Sequence, residues 1–193
     1  PKDNPFAAPS TLPYSTPAFA TITNGHFLPA LLEGMRVHRA EIEGIATRKD
    51  APTFANTIEA MERAGALLTR VNKVFFNLTE STTNPVIQSV QAEVAPKLAQ
   101  HQDAIWLDAR LFARVEAVFA ARESLGSAEQ KRLVERYHTA FVRNGARLGL
   151  DAQQRLRTIN ETLSTLTTRF QESLLADTKA LAVVLDDEKQ LAG

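Results

Sequence analysis

Apolar residues recur at three- and four-residue spacing along most of this chain, a rhythm that predicts a succession of amphipathic helices. The first opens at Asn24, an N-cap by residue type. It carries Phe27, Leu28, Leu31, Leu32, Met35, Ile42 and Ile45 on one broad face, with Pro29 in the early turns where proline costs least. Lys49-Asp50-Ala51-Pro52 breaks it. A second helix is expected from Thr53, with Phe54, Ile58, Met61, Leu68, Val71, Phe75 and Leu78 in one stripe. Gly65 takes the missing step, where a neighbouring helix can approach closely.

Asn84-Pro85 signals the third helix, an N-cap followed by proline at the first helical position. It runs through Ile87, Val90, Val94, Leu98, His101 and Ile105, with a bend expected at Pro96. Asp108 starts another segment with Leu111, Val115, Val118 and Phe119, stopping at Gly126. Ser127-Ala128-Glu129-Gln130 fits the capping box, ahead of Leu133, Tyr137 and Phe141 and a stop near Gly145. Asp151 with Gln154 is a looser start for Leu156, Ile159, Leu163, Leu166, Phe170 and Leu174, read as bundle core. Ala180 to Leu185 is rich in β-branched residues and precedes an acidic run, which predicts one short strand whose partner lies after Gly193.

Residues 1–22 differ. They hold five of the nine prolines, which would interrupt a continuous helix repeatedly, so an extended arm is expected. Phe6, Leu12, Tyr14 and Phe19 suggest that the arm lies against the domain surface. The fold class is therefore all-α: an elongated bundle of five or six long antiparallel helices over residues 23–193, with a proline-rich arm at one end and a strand at the other.

Composition narrows the partners. Lysine plus arginine and aspartate plus glutamate stand at 22 each, so no excess of positive charge favours nucleic acid or an anionic membrane. Cysteine is absent, which excludes disulfides and thiolate metal sites and leaves cytoplasm and periplasm both open. No apolar run reaches the roughly 18 residues that span a bilayer, so a soluble chain is expected. It begins without methionine and ends just after a fresh apolar segment, so both ends are read as processing or cloning boundaries rather than natural limits of a fold.

Candidate chemistry is sparse. None of His26, His38, His101 and His138 begins a His-Glu-x-x-His pair, so no zinc hydrolase site can be built locally. Glu135 and His138 have the Glu-x-x-His spacing of di-iron bundles, but such a site needs a second pair and further glutamates, and a surface carboxylate beside a histidine is the simpler reading. His101, in an apolar row, is expected to be a hydrogen-bonded core residue. Arg132, Arg136, Arg143 and Arg147 could line a groove for peptide carboxylates or form an ordinary solvated face. Asn77-Leu78-Thr79 and Asn160-Glu161-Thr162 match the short glycosylation pattern. No catalytic, cofactor-binding or metal residue is assigned.

Several phrases in order resemble one family. They are Asn4-Pro5-Phe6, Leu12-Pro13, Pro17-Ala18-Phe19 and His26-Phe27-Leu28-Pro29-Ala30, then Pro52-Thr53-Phe54-Ala55-Asn56-Thr57-Ile58 and Val74-Phe75-Phe76-Asn77-Leu78. Glu93-Val94-Ala95-Pro96-Lys97-Leu98, Arg136-Tyr137-His138 and Val142-Arg143-Asn144-Gly145-Ala146-Arg147-Leu148 follow. Together they resemble the N-terminal part of the zinc-dependent oligopeptidases of the peptidyl-dipeptidase and thimet-oligopeptidase family. Residues 74 to 101 are most similar to the bacterial peptidyl-dipeptidases, which remove dipeptides from peptide C-termini.

The resemblance implies a helical ellipsoid split by a deep channel that admits unfolded oligopeptides. In it a zinc-bound water, activated by the glutamate of a His-Glu-x-x-His helix, attacks the amide. It further implies that this chain is one noncatalytic wall, inactive alone, whose partners are the C-terminal catalytic domain of its own polypeptide and the peptide. The zinc would be bound outside these residues. A self-sufficient helical binding or scaffold protein is the alternative.

Overall fold

The computed structural model of the chain describes residues 3–183 and Asp187. Among these, seven helices follow one another: α1 (Phe27–Ala46), α2 (Ala60–Arg63), α3 (Ala66–Ser81), α4 (Pro85–Trp106), α5 (Ala109–Ala120), α6 (Ala128–Arg143) and α7 (Leu150–Ala180). The fold is all-helical, with no strand among the described residues. Part of the predicted strand is a correction: Ala180 closes α7, and Leu181 to Val183 are exposed non-strand residues. Val184 and Leu185, the rest of that segment, lie outside the described residues.

Helix starts follow local chemistry. Asn84 Oδ1 accepts from the N–H groups of Val86 and Ile87 at 3.0 and 3.1 Å, and Pro85 stands first in α4, where a missing N–H costs nothing. Asp108 caps α5 through the N–H groups of Arg110 and Leu111, and Ser127 caps α6 through that of Gln130. Helix α4 runs unbroken through Pro96. Helix α6 ends in a Schellman turn: Gly145, at φ 93°, donates to Val142 O, and Ala146 donates to Phe141 O at 3.0 Å.

Two starts differ from expectation. Asn24 begins a 3-10 turn, Asn24–His26, ahead of α1; the capping residue is Thr23, whose N–H donates to His26 Nδ1 at 3.0 Å. Helix α7 begins at Leu150, with Gly149 in the capping position, one residue before Asp151.

The second helix is interrupted. Thr53 and Asn56 form a reciprocal cap, Thr53 N–H to Asn56 Oδ1 at 2.8 Å and Asn56 N–H to Thr53 Oγ1 at 3.1 Å, opening a π-helical Phe54–Glu59 that leads into α2. Ala64 is then extended and Gly65 left-handed, at φ 74°. The stripe from Phe54 to Leu78 therefore belongs to two helices. The break comes from outside the segment: Gly65 N–H donates to Glu41 Oε2 at 2.7 Å, and a Cβ at Gly65 would lie 2.9 Å from the His38 ring.

Packing is antiparallel within three helix pairs, α1 with α3, α5 with α6, and α4 with α7. Helix α3 descends against α1, with Leu68 at Gly34 and Gly65 at His38; a Cβ on Gly34 would be 2.9 Å from Leu68 Cα. Helix α6 returns along α5, where Phe112 stacks near Phe141 and Phe119 near His138. Helix α7 returns along α4, joining Asn160 to Asp103 and Gln171 to Gln91.

Two apolar cores result. One gathers Phe6, Phe27, Leu31 and Met35 with Val71, Phe75, Ile87 and Val94. The other gathers Ile42, Ile45, Ile58, Met61 and Ile105 with Leu111, Val115, Val134 and Phe141. Helix α1 contributes to both. At roughly 25 cal/mol per Å² of apolar surface, each buried large side chain contributes about 1.5–3 kcal/mol, and these two clusters carry the fold.

The proline-rich segment is anchored near its two ends, with Ile22 packed against the core that holds Phe6. Asn4 Nδ2 donates to His26 O at 2.9 Å, Phe6 N–H to Asn4 Oδ1, and Arg70 Nη2 to Phe6 O at 2.8 Å, leaving the Phe6 ring against Phe27. Leu12, Tyr14 and Phe19 are exposed, contrary to the expected packing on the surface. Residues 10–16 close on themselves instead, with Ser10 Oγ donating to Thr16 O at 2.6 Å and Tyr14 and Ser15 at positive φ.

Candidate functional site

Between the two cores sits a polar recess of about 340 Å³, lined by residues that include His38, Glu62, Asn72, His101 and Tyr137. His101 is 5% exposed, and its Nε2 lies 3.0 Å from His38 Nδ1. This agrees with the expected hydrogen-bonded core histidine. Burial holds the His38 imidazole below its usual pKa, and burial, reinforced by His38 and then Arg39, pushes His101 down to about 4. Both rings are therefore neutral at pH 7.

The rim of the recess is fixed by Tyr137 Oη, which donates to Glu62 Oε1 at 2.6 Å. Burial, and then the Glu62 carboxylate, raise the phenol's pKa. His101 Nδ1 and Asn72 Oδ1 are buried without a hydrogen-bond partner. The recess thus offers two imidazoles, an amide and a phenol, with the Glu62 carboxyl at its rim. It carries no cysteine, and among the described residues no group of three or more histidines, cysteines and carboxylates is arranged to hold a metal.

The other sequence candidates separate. His138 lies flat on Phe119, ring centroids 3.9 Å apart, and its Nε2 is 3.4 Å from Arg147 Nη2. Burial and then Arg147 lower its pKa. Glu135 turns instead to Arg132, at 3.2 Å, so the Glu-x-x-His spacing does not converge on a shared point. Arg147 is not on the α6 face at all: it lies past the helix end and pairs with Glu116 at 2.9 Å. Asn160 is engaged with Asp103 at 2.7 Å in the α4–α7 seam, so its amide is not presented as a glycosylation acceptor.

Arg114 is a buried charge among several buried polar residues that residue type alone does not single out. Arg114 of α5 donates to the carbonyls of Arg48 and Asp50, both at 3.1 Å, and to Asn56 Oδ1 at 2.8 Å. It pins the loop after α1 to the cap that opens the π-helical turn. Asn56 of the Pro52–Ile58 phrase is thus structural, and the buried Thr57 donates its hydroxyl to the same Asn56 Oδ1 at 2.9 Å.

The α7 stripe is the main correction. Ile159, Leu163, Leu166, Phe170 and Leu174 are between 51% and 68% exposed, whereas the buried residues of α7 are Gln153 and Thr168. The helix packs on α4 through its polar side, with Asn160–Asp103 and Gln171–Gln91 contacts. At 100° per residue the apolar row is turned roughly a quarter turn away from that seam.

The chain is similar in sequence to known proteins over nearly its whole length. It is 46% identical across 191 residues to the dipeptidyl carboxypeptidase of Escherichia coli K12 and 42% identical across 191 residues to that of Salmonella typhimurium. In each case the match covers 98% of this chain and 28% of the relative. Oligopeptidase A of Salmonella typhimurium is 23% identical over 188 residues, 93% of this chain and 27% of that protein. No family model matches the chain. It spans little more than a quarter of the length of these relatives, and the resemblance read from its phrases agrees with them.

Proposed function

We propose that this chain, a relative of the dipeptidyl carboxypeptidases, is a noncatalytic helical wall of a zinc peptidase that releases dipeptides from the C-termini of oligopeptides. The observation that supports this reading best is the pairing of 46% identity over 98% of the chain with coverage of only 28% of the relative. Twice the identity to dipeptidyl carboxypeptidase as to oligopeptidase A favours the former activity.

Among the described residues the four histidines do not converge on one point. His26 is hydrogen-bonded to Thr23, His38 and His101 to each other, and His138 lies between Phe119 and Arg147. We therefore place the zinc and its activated water in the portion of the relatives' length that this chain does not span. The chain's own contribution is shape: rigid amphipathic rods that bound the space a peptide occupies.

An exposed apolar row on α7 favours this reading over a self-sufficient scaffold, whose apolar faces would be satisfied internally. The test compares two samples on an oligopeptide with a free C-terminus. The polypeptide at the full length of the relatives, loaded with zinc, is expected to release C-terminal dipeptides, and residues 1–193 with added zinc to leave the peptide intact. Cleavage by the chain alone would overturn the noncatalytic assignment, and release of products other than dipeptides would overturn the reaction.

A further inference from the structure

Helix α7 is amphipathic in an unusual sense, because the side it turns to the rest of the fold is its polar one. Asn160, Thr168 and Gln171 face or meet α4 and Gln153 donates to Gly145 O in the turn after α6, while Ile159, Leu163, Leu166, Phe170 and Leu174 form a largely exposed row. From residue 159 to residue 174 the row is roughly 22 Å long at 1.5 Å per residue. It continues past the helix end in Leu181 and Val183, 78% and 83% exposed.

The borders of the row are not those of a solvated face. Within residues 158–174, Thr158, Thr162, Thr165, Thr167 and Ser173 outnumber the charged residues Glu161, Arg169 and Glu172. Several of these hydroxyls are turned back onto the helix, Thr162 to Thr158 O and Thr165 to Glu161 O. Small side chains with their hydroxyls satisfied internally let another element come close without stranding a polar group. A contiguous apolar strip of this length marks an interaction surface.

The geometry points to this strip as an intramolecular docking seam, covered by the part of the polypeptide that corresponds to the relatives' remaining length. The inference rests on the reading of the chain as one section of a longer peptidase. The occupant follows from the comparison: the match is nearly complete on this chain and covers only 28% of each dipeptidyl carboxypeptidase, so most of such a protein remains to be packed against something. Each member of the strip is more than half exposed in the described fold, with Leu163 and Leu174 at its edge beside α3 and α4.

The test uses a reporter thiol, which the cysteine-free sequence makes clean on this side. Leu166→Cys is placed in residues 1–193 and in the full-length protein, and alkylation by a maleimide is followed on the peptide that carries position 166. Labelling at least tenfold slower in the full-length protein, at a rate independent of protein concentration, is the expected result. Equal rates would overturn the seam. Protection that disappears on dilution would also overturn it, since a second copy would then be the occupant.

A charged pair, Leu163→Glu with Phe170→Glu, gives a second measurement. Both positions are exposed, so residues 1–193 should keep their circular dichroism and Tm, while the full-length protein should lose at least 5 °C of Tm and become cleavable between its sections. An unchanged full-length Tm counts against the seam. Peptide release by unmodified full-length protein is scored separately, so protection without hydrolysis would sink the peptidase reading alone, and hydrolysis without protection the seam alone.

Discussion

His38 Nδ1 lies 3.0 Å from His101 Nε2 at the level where the two apolar cores meet. Met35 and Val94 belong to one core, Ile42 and Ile105 to the other, and the imidazoles fall between them on α1 and α4. Gly65, whose missing side chain leaves room for the His38 ring, marks the same level at the start of α3. One polar layer thus interrupts the core where the helix break occurs.

The first prediction concerns acid. His101 has its pKa pushed to about 4 in the fold, against 6.5 for the free group, so between those values the unfolded chain binds the extra proton. Stability is therefore fully present above pH 6.5 and falls as pH drops toward 4. Denaturant titrations at pH 7.5 and 4.5 should differ by on the order of 2 kcal/mol for the unmodified chain and by clearly less for His101→Gln. Arg110 holds the Glu43 carboxyl below the usual carboxylate range. An identical slope in both proteins would remove His101 as the cause.

Two glycines should respond in opposite ways. Gly65→Ala forces a side chain into a left-handed residue and against the His38 ring, and should cost about 1–3 kcal/mol. Gly44→Ala, inside α1 with nothing within 4 Å of the added methyl, should stabilise by roughly 0.5–1 kcal/mol. Thermal melts of the two variants check the sign of each.

Arg114→Met keeps the aliphatic stem of the side chain and removes the donors to Arg48 O, Asp50 O and Asn56 Oδ1. Charged-donor hydrogen bonds and the carbonyls left without them place the loss at about 2–4 kcal/mol. Hydrogen exchange should rise first in residues 47–56, the loop that the guanidinium holds. Exchange spread evenly over the molecule would argue against a local clamp.

Asn160→Ala leaves Asp103, a buried carboxylate, without its 2.7 Å donor. A loss of about 1–3 kcal/mol is expected. Exchange in α7 should accelerate more than in α5 or α6, because the polar seam is what ties α7 to α4. Equal acceleration in all three helices would mean that α7 is held by other contacts.

The sequence was most legible where structure is local. Asn84, Asp108 and Ser127 cap their helices through groups two or three residues away, and Gly145 closes α6 within five residues, so residue type alone located them. The break at Gly65 was not legible, because Met61 and Leu68 keep the apolar spacing across it while its causes, Glu41 and His38, lie on another helix. The α7 row was visible as a row, yet its burial was misjudged: periodicity states that one side of a helix is apolar and says nothing about which side finds a neighbour.

The expected strand shows the same limit. The β-branched composition around Leu181 and Val183 predicts a strand, yet α7 extends through Ala180 and Leu181 to Val183 have no ladder partner among the described residues. For the candidate site, His101 was located by its place in an apolar row, whereas its partner His38 and the clamp at Arg114 needed three-dimensional neighbours to be recognised.

Helix α1 supplies Phe27, Leu31 and Met35 to one core and Ile42 and Ile45 to the other. A continuous rod shared in this way behaves like an axle carrying two wheels: neither can be loosened while the other stays fixed, so thermal disorder in either half reaches the opposite end as lost purchase on a common shaft.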